Sequence, residues 1–268
     1  MGTVAQASLA SVRSLIPKNP TATRIVQKVA DDEEGIRGLG LWLVSSIGPA
    51  QSEELTMATI VVVGGTGYTG GNIVREASSR GHAVISISRS KPSQPSERVR
   101  YELGEVDEVA ARVVPSADVV VACLSPRADM AGRLVEVYRD LARLSANAGA
   151  RYLQVGGFSS LRPTSDAPRF VEGEIPEEFR QEALEGEATR VMLVEDSPAE
   201  LDWVFISPAG SYGAFAPGDH QGHYRVGGEV ALFDAEGNSS ISGTDFAAAV
   251  VDEIETPVHH RAHIGIAY

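Results

Sequence analysis

Three glycines occur at a spacing that suits phosphate binding. Gly64, Gly67 and Gly70 form the pattern G-x-x-G-x-x-G directly after the apolar run 58–63. The first glycine permits a tight turn, the second lets backbone N–H groups approach a pyrophosphate, and the third lets a helix pack closely on a strand. A helix beginning here adds partial positive charge at its N-terminus. The pattern predicts a dinucleotide site whose contacts come from Gly64, Gly65, Thr66, Gly67, Tyr68, Thr69 and Gly70.

The residues after the second predicted strand indicate which dinucleotide is bound. Sites specific for NAD place an acid roughly 20 residues past the loop, where it binds the ribose hydroxyls. Here the chain reads Arg89-Ser90-Lys91. Arg89 can stack on adenine and pair with a 2′-phosphate, Ser90 can donate a hydrogen bond, and Lys91 adds positive potential. NADP(H) is therefore favoured over NAD(H), although these charges could also be solvated side chains of a loop rich in Pro and Ser.

The elements around these residues alternate between strand and helix from residue 58 onward, which is typical of a parallel sheet covered by helices on both faces. The predicted strands are 58–63, 82–88, 99–103, 118–124, 152–155 and 202–206. The predicted helices are 68–80, a stripe from 130 to 148, and 178–196. We expect an α/β protein with a Rossmann doubly wound parallel sheet.

The pattern changes after Pro208. A glycine-rich loop, short strands at 224–226 and 230–233 and a turn at 234–238 precede a helix that ends at Glu255. Ser242 or Thr244 could cap that helix, and a last strand is predicted at 263–267. We expect residues of about 207–243 to build a small C-terminal substrate lobe.

Residues 1–56 differ from the rest of the chain. Pro17 and Pro20 interrupt the early pattern, and an acidic cluster follows at 31–34. We interpret 1–56 as an N-terminal extension or a helical arm, with a targeting segment as a further alternative, and 57–268 as the NAD(P)-binding Rossmann domain with its C-terminal lobe. Met57 directly precedes the first strong strand and could be the natural initiator.

The composition excludes several classes of function. A net charge of -13 argues against nucleic-acid binding, because phosphate contacts require concentrated Lys and Arg. No run reaches the roughly 18 apolar residues of a membrane span. The single cysteine, Cys123, excludes an internal disulfide and favours a reducing compartment. We therefore expect a cytoplasmic protein. Its expected partner is a small-molecule acceptor, and a homodimer is one alternative for its assembly.

Later motifs give a more specific resemblance. Residues 156–160 (GGFSS) follow the fifth strand, 201–203 (LDW) lead into 207–209 (SPA), and 224–228 (YRVGG) precede Ile241-Ser242. With these motifs and the glycine loop, the chain from residue 57 resembles the atypical short-chain dehydrogenases. Within them it is similar to the NAD(P)H-flavin reductase group, close to biliverdin reductase B and NmrA-like proteins.

The resemblance implies further cofactor contacts. Glu105 and Val106 would lie at the adenine, and Cys123 and Leu124 at the ribose. The nicotinamide would be contacted by Gly156, Gly157, Phe158 and Pro208.

The catalytic residues are harder to assign. Many short-chain dehydrogenases use Tyr-x-x-x-Lys, in which the ammonium lowers the pKa of the tyrosine. Here no tyrosine has a lysine four residues later, and the last lysine is Lys91. A conjugated acceptor needs less help, because catalysis is then mainly positioning. Ser160, with Ser159 as substitute, could bind the acceptor or the carboxamide, or could cap a turn. Tyr212 could stack on the acceptor, or pack in the core.

These observations favour an NADPH-dependent reductase that transfers hydride directly to a flavin, quinone or similar small molecule. The alternative is an NmrA-like redox sensor that binds NADP(H) without turnover. An isomerase or sugar-nucleotide enzyme on the same fold is a third alternative. We expect no metal, because His220 and His223 have no companion cysteine. The histidines at 259, 260 and 263 are predicted to lie at the surface or at strand ends.

Overall fold

The computed structural model describes residues 57–268, and the predicted N-terminal extension lies outside them. The strands are β1 (Thr59–Val63), β2 (Ala83–Ser88), β3 (Val99–Leu103), β4 (Val119–Ala122), β5 (Arg151–Val155), β6 (Trp203–Pro208), β7 (Arg225–Gly227) and β8 (Ala262–Ala267). The helices are α1 (Tyr68–Ser79), α2 (Val106–Val113), α3 (Leu134–Ala148), α4 (Glu177–Asp196) and α5 (Gly243–Glu255). No helix in this part of the chain is long and apolar enough to cross a membrane.

The described strands form one sheet in the order β3-β2-β1-β4-β5-β6-β8-β7. All neighbouring pairs are parallel except β7 with β8. The chain proceeds from β1 to β2 and β3 on one side and then returns to place β4 on the other side of β1. This reversal leaves a crevice at the carboxyl ends of β1 and β4, where open α/β sheets bind ligands. The predicted Rossmann fold is confirmed.

Alternating side chains of β1 fill a core on each face of the sheet. Ile60 and Val62 pack in a cluster with Ile73 of α1 and Phe246 of α5. Val61 and Val63 pack in the cluster on the opposite face, which includes residues of α2, α3 and α4. A strand buried on both faces must be apolar at every position, and this requirement explains the unbroken apolar run before the glycine loop.

The carboxylate of Glu185 joins helices α3 and α4 through hydrogen bonds. The two oxygens of Glu185 in α4 accept hydrogen bonds from the backbone N–H groups of Gly132 (2.8 Å) and Leu134 (2.9 Å). These donors lie at the start of α3, where backbone N–H groups have no partner within the helix. Glu185 therefore caps α3 from a neighbouring helix.

Several predicted elements need correction. Helix α2 was not predicted. The helical stripe predicted from residue 130 begins only at Leu134, because Ala128–Met130 forms a separate 3-10 turn and Gly132 follows with φ of 79°. The strand predicted at 230–233 does not form, since only Val230 pairs, through one bridge to Arg162. Strand β6 continues to Pro208, and Ser242, not Thr244, caps α5 by accepting the N–H of Asp245.

Candidate active site

The glycine loop connects β1 to α1, and its glycines have different roles. Gly64 has φ of 82°, and a Cβ there would lie 2.9 Å from the carbonyl oxygen of Cys123. A Cβ on Gly70 would lie 2.3 Å from the carbonyl oxygen of Gly64. The predicted turn role of Gly64 and packing role of Gly70 are confirmed. Gly65 is also a packing position, because a Cβ there would lie 2.2 Å from Oγ of Ser86.

The start of α1 is the part of this loop that suits an anion. Gly67 is the N-cap, it is exposed, and no side chain caps the helix. The N–H groups of Gly64 and Gly65 donate to the carbonyl oxygen of Ile87 (2.9 and 3.3 Å), so both are already used in backbone hydrogen bonds. The first-turn N–H groups of a helix have no intrahelical partner and carry the positive end of its dipole. This turn suits an anion such as a pyrophosphate, because its N-cap is exposed and no side chain caps it.

A cleft of about 260 Å³ continues from the glycine loop along the switch point of the sheet. We call it the nucleotide cleft. Its lining includes seven residues predicted to contact the cofactor: Gly64, Thr66, Arg89, Glu105, Val106, Cys123 and Leu124. The structure therefore brings together residues that follow β1, β2, β3 and β4.

Arg89 lies at the rim of the nucleotide cleft. Its guanidinium forms an ion pair with Asp129, in the loop after β4. The hydrogen bond from Arg89 lowers the pKa of the Asp129 carboxyl, so the pair is charged at neutral pH. Ser90 is exposed, and its carbonyl oxygen accepts a hydrogen bond from Ser88 (2.8 Å). An incoming anion would therefore compete with Asp129 for the guanidinium of Arg89.

The two glycines after β5 differ in their surroundings. A Cβ on Gly156 would lie 2.0 Å from Cζ of Phe205, a buried residue of β6. A Cβ on Gly157 would meet nothing closer than Oγ of Ser159 at 3.7 Å. Gly156 was predicted as a nicotinamide contact, but the core requires glycine at this position because a side chain would overlap the ring of Phe205. Gly157 is the one with free space beside it.

Phe158 and Pro208 lie at the same end of the sheet. The ring of Phe158 stacks on Phe170, with 4.8 Å between centroids, and meets Phe233 edge-on at 6.4 Å. Pro208 is buried at the end of β6, where it pairs with Ile266 of β8. Both residues pack at the carboxyl ends of β5 and β6, where the nicotinamide was predicted.

Ser160 does not face an acceptor in this structure. It is 1% exposed, and its Oγ has no hydrogen-bond partner among the described residues. Phe158–Ser160 forms one 3-10 turn, and the roughly three residues per turn of such a helix point its side chains in different directions. Ser159, predicted as the substitute, is only half-buried. Ser159 is therefore the better placed of the two hydroxyls.

Tyr212 has a packing position. Its hydroxyl donates to Oγ1 of Thr69 (2.9 Å), and its ring lies against Phe246 with 4.8 Å between centroids. Tyr68 meets it edge-on at 5.5 Å and donates its own hydroxyl to the carbonyl oxygen of Pro217 (3.1 Å). Burial raises the pKa of Tyr212 far above its usual value, so it is a poor acid. These contacts favour attachment of the 209–217 loop to α1 over the predicted catalytic role.

His263 lies at the start of β8, as one of the two predicted positions requires, and it is buried rather than exposed. It is 7% exposed, and its Nε2 lies 2.9 Å from Oγ of Ser207, which also contacts the carbonyl oxygen of Gly157 (2.8 Å). Its Nδ1 lies 3.3 Å from the guanidinium of Arg169. Burial, reinforced by the charge of Arg169, lowers the pKa of His263 to about 3, so the ring is neutral. The only signal in the sequence was its position inside an apolar strand.

Three other histidines have carboxylate neighbours that the sequence did not indicate. His259 lies 2.7 Å from Glu253, and His260 lies 2.9 Å from Asp202. His220 lies 2.7 Å from Asp245, near the start of α5. The His260 contact joins the segment before β8 to the residue before β6, and the His220 contact joins the loop after β6 to α5.

A second cleft, of about 590 Å³, lies beside the nucleotide cleft and shares Arg127 and Ala128 with it. We call it the aromatic cleft. Its walls come from the loop after β4, the first turns of α4 and the loop after β6, and its lining includes Phe179 and Phe215. Neither phenylalanine was predicted as a site residue, and the one signal in the sequence is the phenylalanine among the acidic residues of 177–182 (EEFRQE).

Comparison with known proteins establishes the family. A family model described as NAD(P)H-binding matches residues 64–257. The uncharacterized protein YwnB of Bacillus subtilis is 31% identical over 208 residues, which cover 75% of this chain and 93% of that protein. The chain belongs to the NAD(P)H-binding family. The predicted resemblance is thereby confirmed.

Two solved structures share the fold of this chain. A protein of Bacteroides thetaiotaomicron named a "putative epimerase" is 31% identical with a TM-score of 0.70, covering 80% of this chain and 98% of that one. A "putative NADH-flavin reductase" of Streptococcus pneumoniae is 26% identical with a TM-score of 0.68, covering 78% of this chain and 99% of that one. Structures similar to this chain are thus named for different chemistries.

Proposed function

We propose that this protein is an NADPH-dependent reductase that transfers hydride directly to a flavin, quinone or similar conjugated small molecule. The observation that carries this proposal is the continuity of two clefts. The nucleotide cleft starts at the uncapped end of α1, and the aromatic cleft opens beside it, with Arg127 and Ala128 in both linings. A cofactor and a planar acceptor can therefore be held next to each other.

The preference for NADPH rests on Arg89. The chain has no acid at the end of β2, where an NAD-specific site would bind the ribose hydroxyls. The cation there is paired with Asp129 across the rim of the cleft. A 2′-phosphate carries more charge than a carboxylate and offers more acceptor oxygens, so it can replace Asp129 as the partner of Arg89.

The residues of the chain would contribute positioning rather than acid catalysis. Bound NADPH supplies the hydride. The glycine loop and the first turn of α1 hold the phosphates, Ser159 offers a hydroxyl at the carboxyl end of β5, and the aromatic rings orient the acceptor. Because the pKa of Tyr212 is raised and the aromatic cleft is open to solvent, the proton for the acceptor would come from water.

The test follows the absorbance of NADPH with riboflavin and a panel of quinones, beside NADH. Arg89→Ala should weaken NADPH by about tenfold to a hundredfold, the value of a charged hydrogen bond, and should change NADH much less. Arg98→Ala, an exposed position outside the cleft, is the matched control. Equal losses for both cofactors would overturn the assignment to the 2′-phosphate.

The second candidate is a redox sensor that binds NADP(H) without turnover. It is favoured by one observation: Ser160 is buried and the Tyr212 hydroxyl donates to Thr69, so neither predicted catalytic residue offers an exposed, unengaged hydroxyl to an acceptor. Tight binding of NADPH without oxidation across the whole panel would support the sensor. The cytoplasmic location and the homodimer stay predictions.

A further inference from the structure

The aromatic cleft exposes two rings that a folded chain would ordinarily bury. Phe215 is 80% exposed and Phe179 is 55% exposed, and both line the same cleft. Aromatic rings contribute large apolar areas when covered, and exposed apolar surfaces that line a groove commonly mark binding sites. The cleft therefore suits a flat apolar ligand.

The position of Phe215 is fixed relative to the nucleotide cleft. The loop that carries it is attached on one side by Tyr212, which donates to Thr69, and on the other by Pro217, which accepts from Tyr68. Thr69 and Tyr68 form the first turn of α1, the turn that suits the pyrophosphate. One wall of the aromatic cleft is thus held by the same turn that would hold the cofactor.

The charges around the aromatic cleft disfavour an anionic ligand. Among the described residues its lining carries one cation, Arg127, and two carboxylates, Glu178 and Glu182. Arg127 is already paired, with Nε 2.8 Å from the Glu182 carboxylate. Arg180 of the same helix lines a neighbouring depression together with Glu177 and Glu185. A phosphate here would compete with Glu182 for Arg127 and would approach an excess of negative charge.

We infer that the aromatic cleft binds an uncharged planar acceptor, such as a quinone or a flavin without a phosphate, and discriminates against phosphorylated flavins. This inference rests on the proposed reductase function. In the step itself, NADPH loses a hydride, and the acceptor gains that hydride and one proton from water. The acceptor is thereby reduced by two electrons and NADPH is oxidised to NADP⁺.

Riboflavin and FMN provide the test, because they share one ring system and differ by a phosphate. With NADPH, kcat/KM for riboflavin should exceed that for FMN by about tenfold or more at low ionic strength, and the ratio should fall as salt screens the charges. Glu182→Gln frees Arg127 and removes one negative charge, so it should bring the ratio close to one. Glu195→Gln, an exposed position at the far end of the same helix, should leave the ratio unchanged.

The rings are tested separately from the charges. Phe215→Leu should raise the KM for riboflavin several-fold while the Kd of NADPH stays the same, and the exposure of this side chain means that folding is preserved. FMN turnover equal to or faster than riboflavin turnover, or a ratio that Glu182→Gln does not change, would overturn the inference.

A complete lack of turnover would instead refute the proposed function. In that case a binding experiment tests the aromatic cleft. If the protein with NADP⁺ quenches riboflavin fluorescence and the Phe215→Leu variant does not, the cleft still binds an uncharged planar ligand. Absence of riboflavin and quinone binding would overturn the inference as well.

Discussion

Gly156 and Gly157 are adjacent, yet the structure predicts a large loss of stability when the first is replaced by alanine and almost none when the second is. A Cβ on Gly156 would lie 2.0 Å from Cζ and 2.3 Å from Cε1 of Phe205. That ring is fully buried in β6, and it also packs edge-on against His263 with 4.9 Å between centroids. The ring therefore has little room to withdraw.

The expected cost follows from this overlap. Overpacking a well-filled core costs typically about 1–3 kcal/mol, and contact with a ring that cannot move lies at the upper end. We expect Gly156→Ala to reduce the free energy of unfolding by about 3 kcal/mol. For a domain of this size, Tm falls by roughly 2–4 °C per kcal/mol, so the loss should be about 6–12 °C.

Gly157→Ala is the matched control. Its Cβ would meet no atom closer than 3.7 Å, so its stability should stay within about 0.5 kcal/mol of the parent. Urea unfolding of the full chain, followed by circular dichroism, measures both variants. Combining Gly156→Ala with Phe205→Leu should restore part of the loss, because the smaller side chain removes the overlap. Equal stability of the two alanine variants, or strictly additive effects in the double variant, would refute the reasoning.

Three further predictions concern other residues. Asp129→Asn should tighten NADPH several-fold without changing NADH, because it frees Arg89, and Asp140→Asn, whose partner is Arg143, is the control in a binding titration. The depressed pKa of His263 means that its stabilising effect is complete above pH 6.5 and is lost at about 1.4 kcal/mol per pH unit as the pH falls toward 3. His263→Gln should therefore flatten the decline in stability between pH 6.5 and 5 in urea unfolding. Tyr212→Phe should cost about 1 kcal/mol of stability, yet kcat should remain near that of the parent, and a large fall in kcat would restore Tyr212 as a catalytic residue.

The fold was predictable where the pattern was dictated by burial. The central strands β1 and β4 must be apolar on both faces, and the glycines of the loop are required by sterics that any such turn shares. The short helix α2 was not predicted, because eight residues give few turns in which a period can be recognised. The apolar run 230–233 resembled a strand in the sequence. In the structure β7 pairs with β8 at the edge of the sheet, and the run forms only a single bridge, through Val230.

The site was predictable only in part. Seven cofactor candidates line one cleft, because the carboxyl ends of parallel strands meet at one edge of the sheet. The orientation of Ser160 depends on the phase of a single 3-10 turn, which no periodicity reveals. Phe179 and Phe215 come from segments far apart in sequence, so only the folded chain shows that they share a cleft.

The attachment of the 209–217 loop to α1 has a kinetic consequence. The hydroxyls of Tyr68 and Tyr212 connect that loop to the helix turn at which a pyrophosphate would bind. An occupied turn would restrict the loop before any acceptor arrives, so we expect compulsory-order kinetics, with nucleotide first and acceptor second. Thermodynamic linkage then requires that a bound acceptor strengthen nucleotide binding by the same factor. If the proposed reduction takes place, the protein would retain oxidised nucleotide until the reduced product has left.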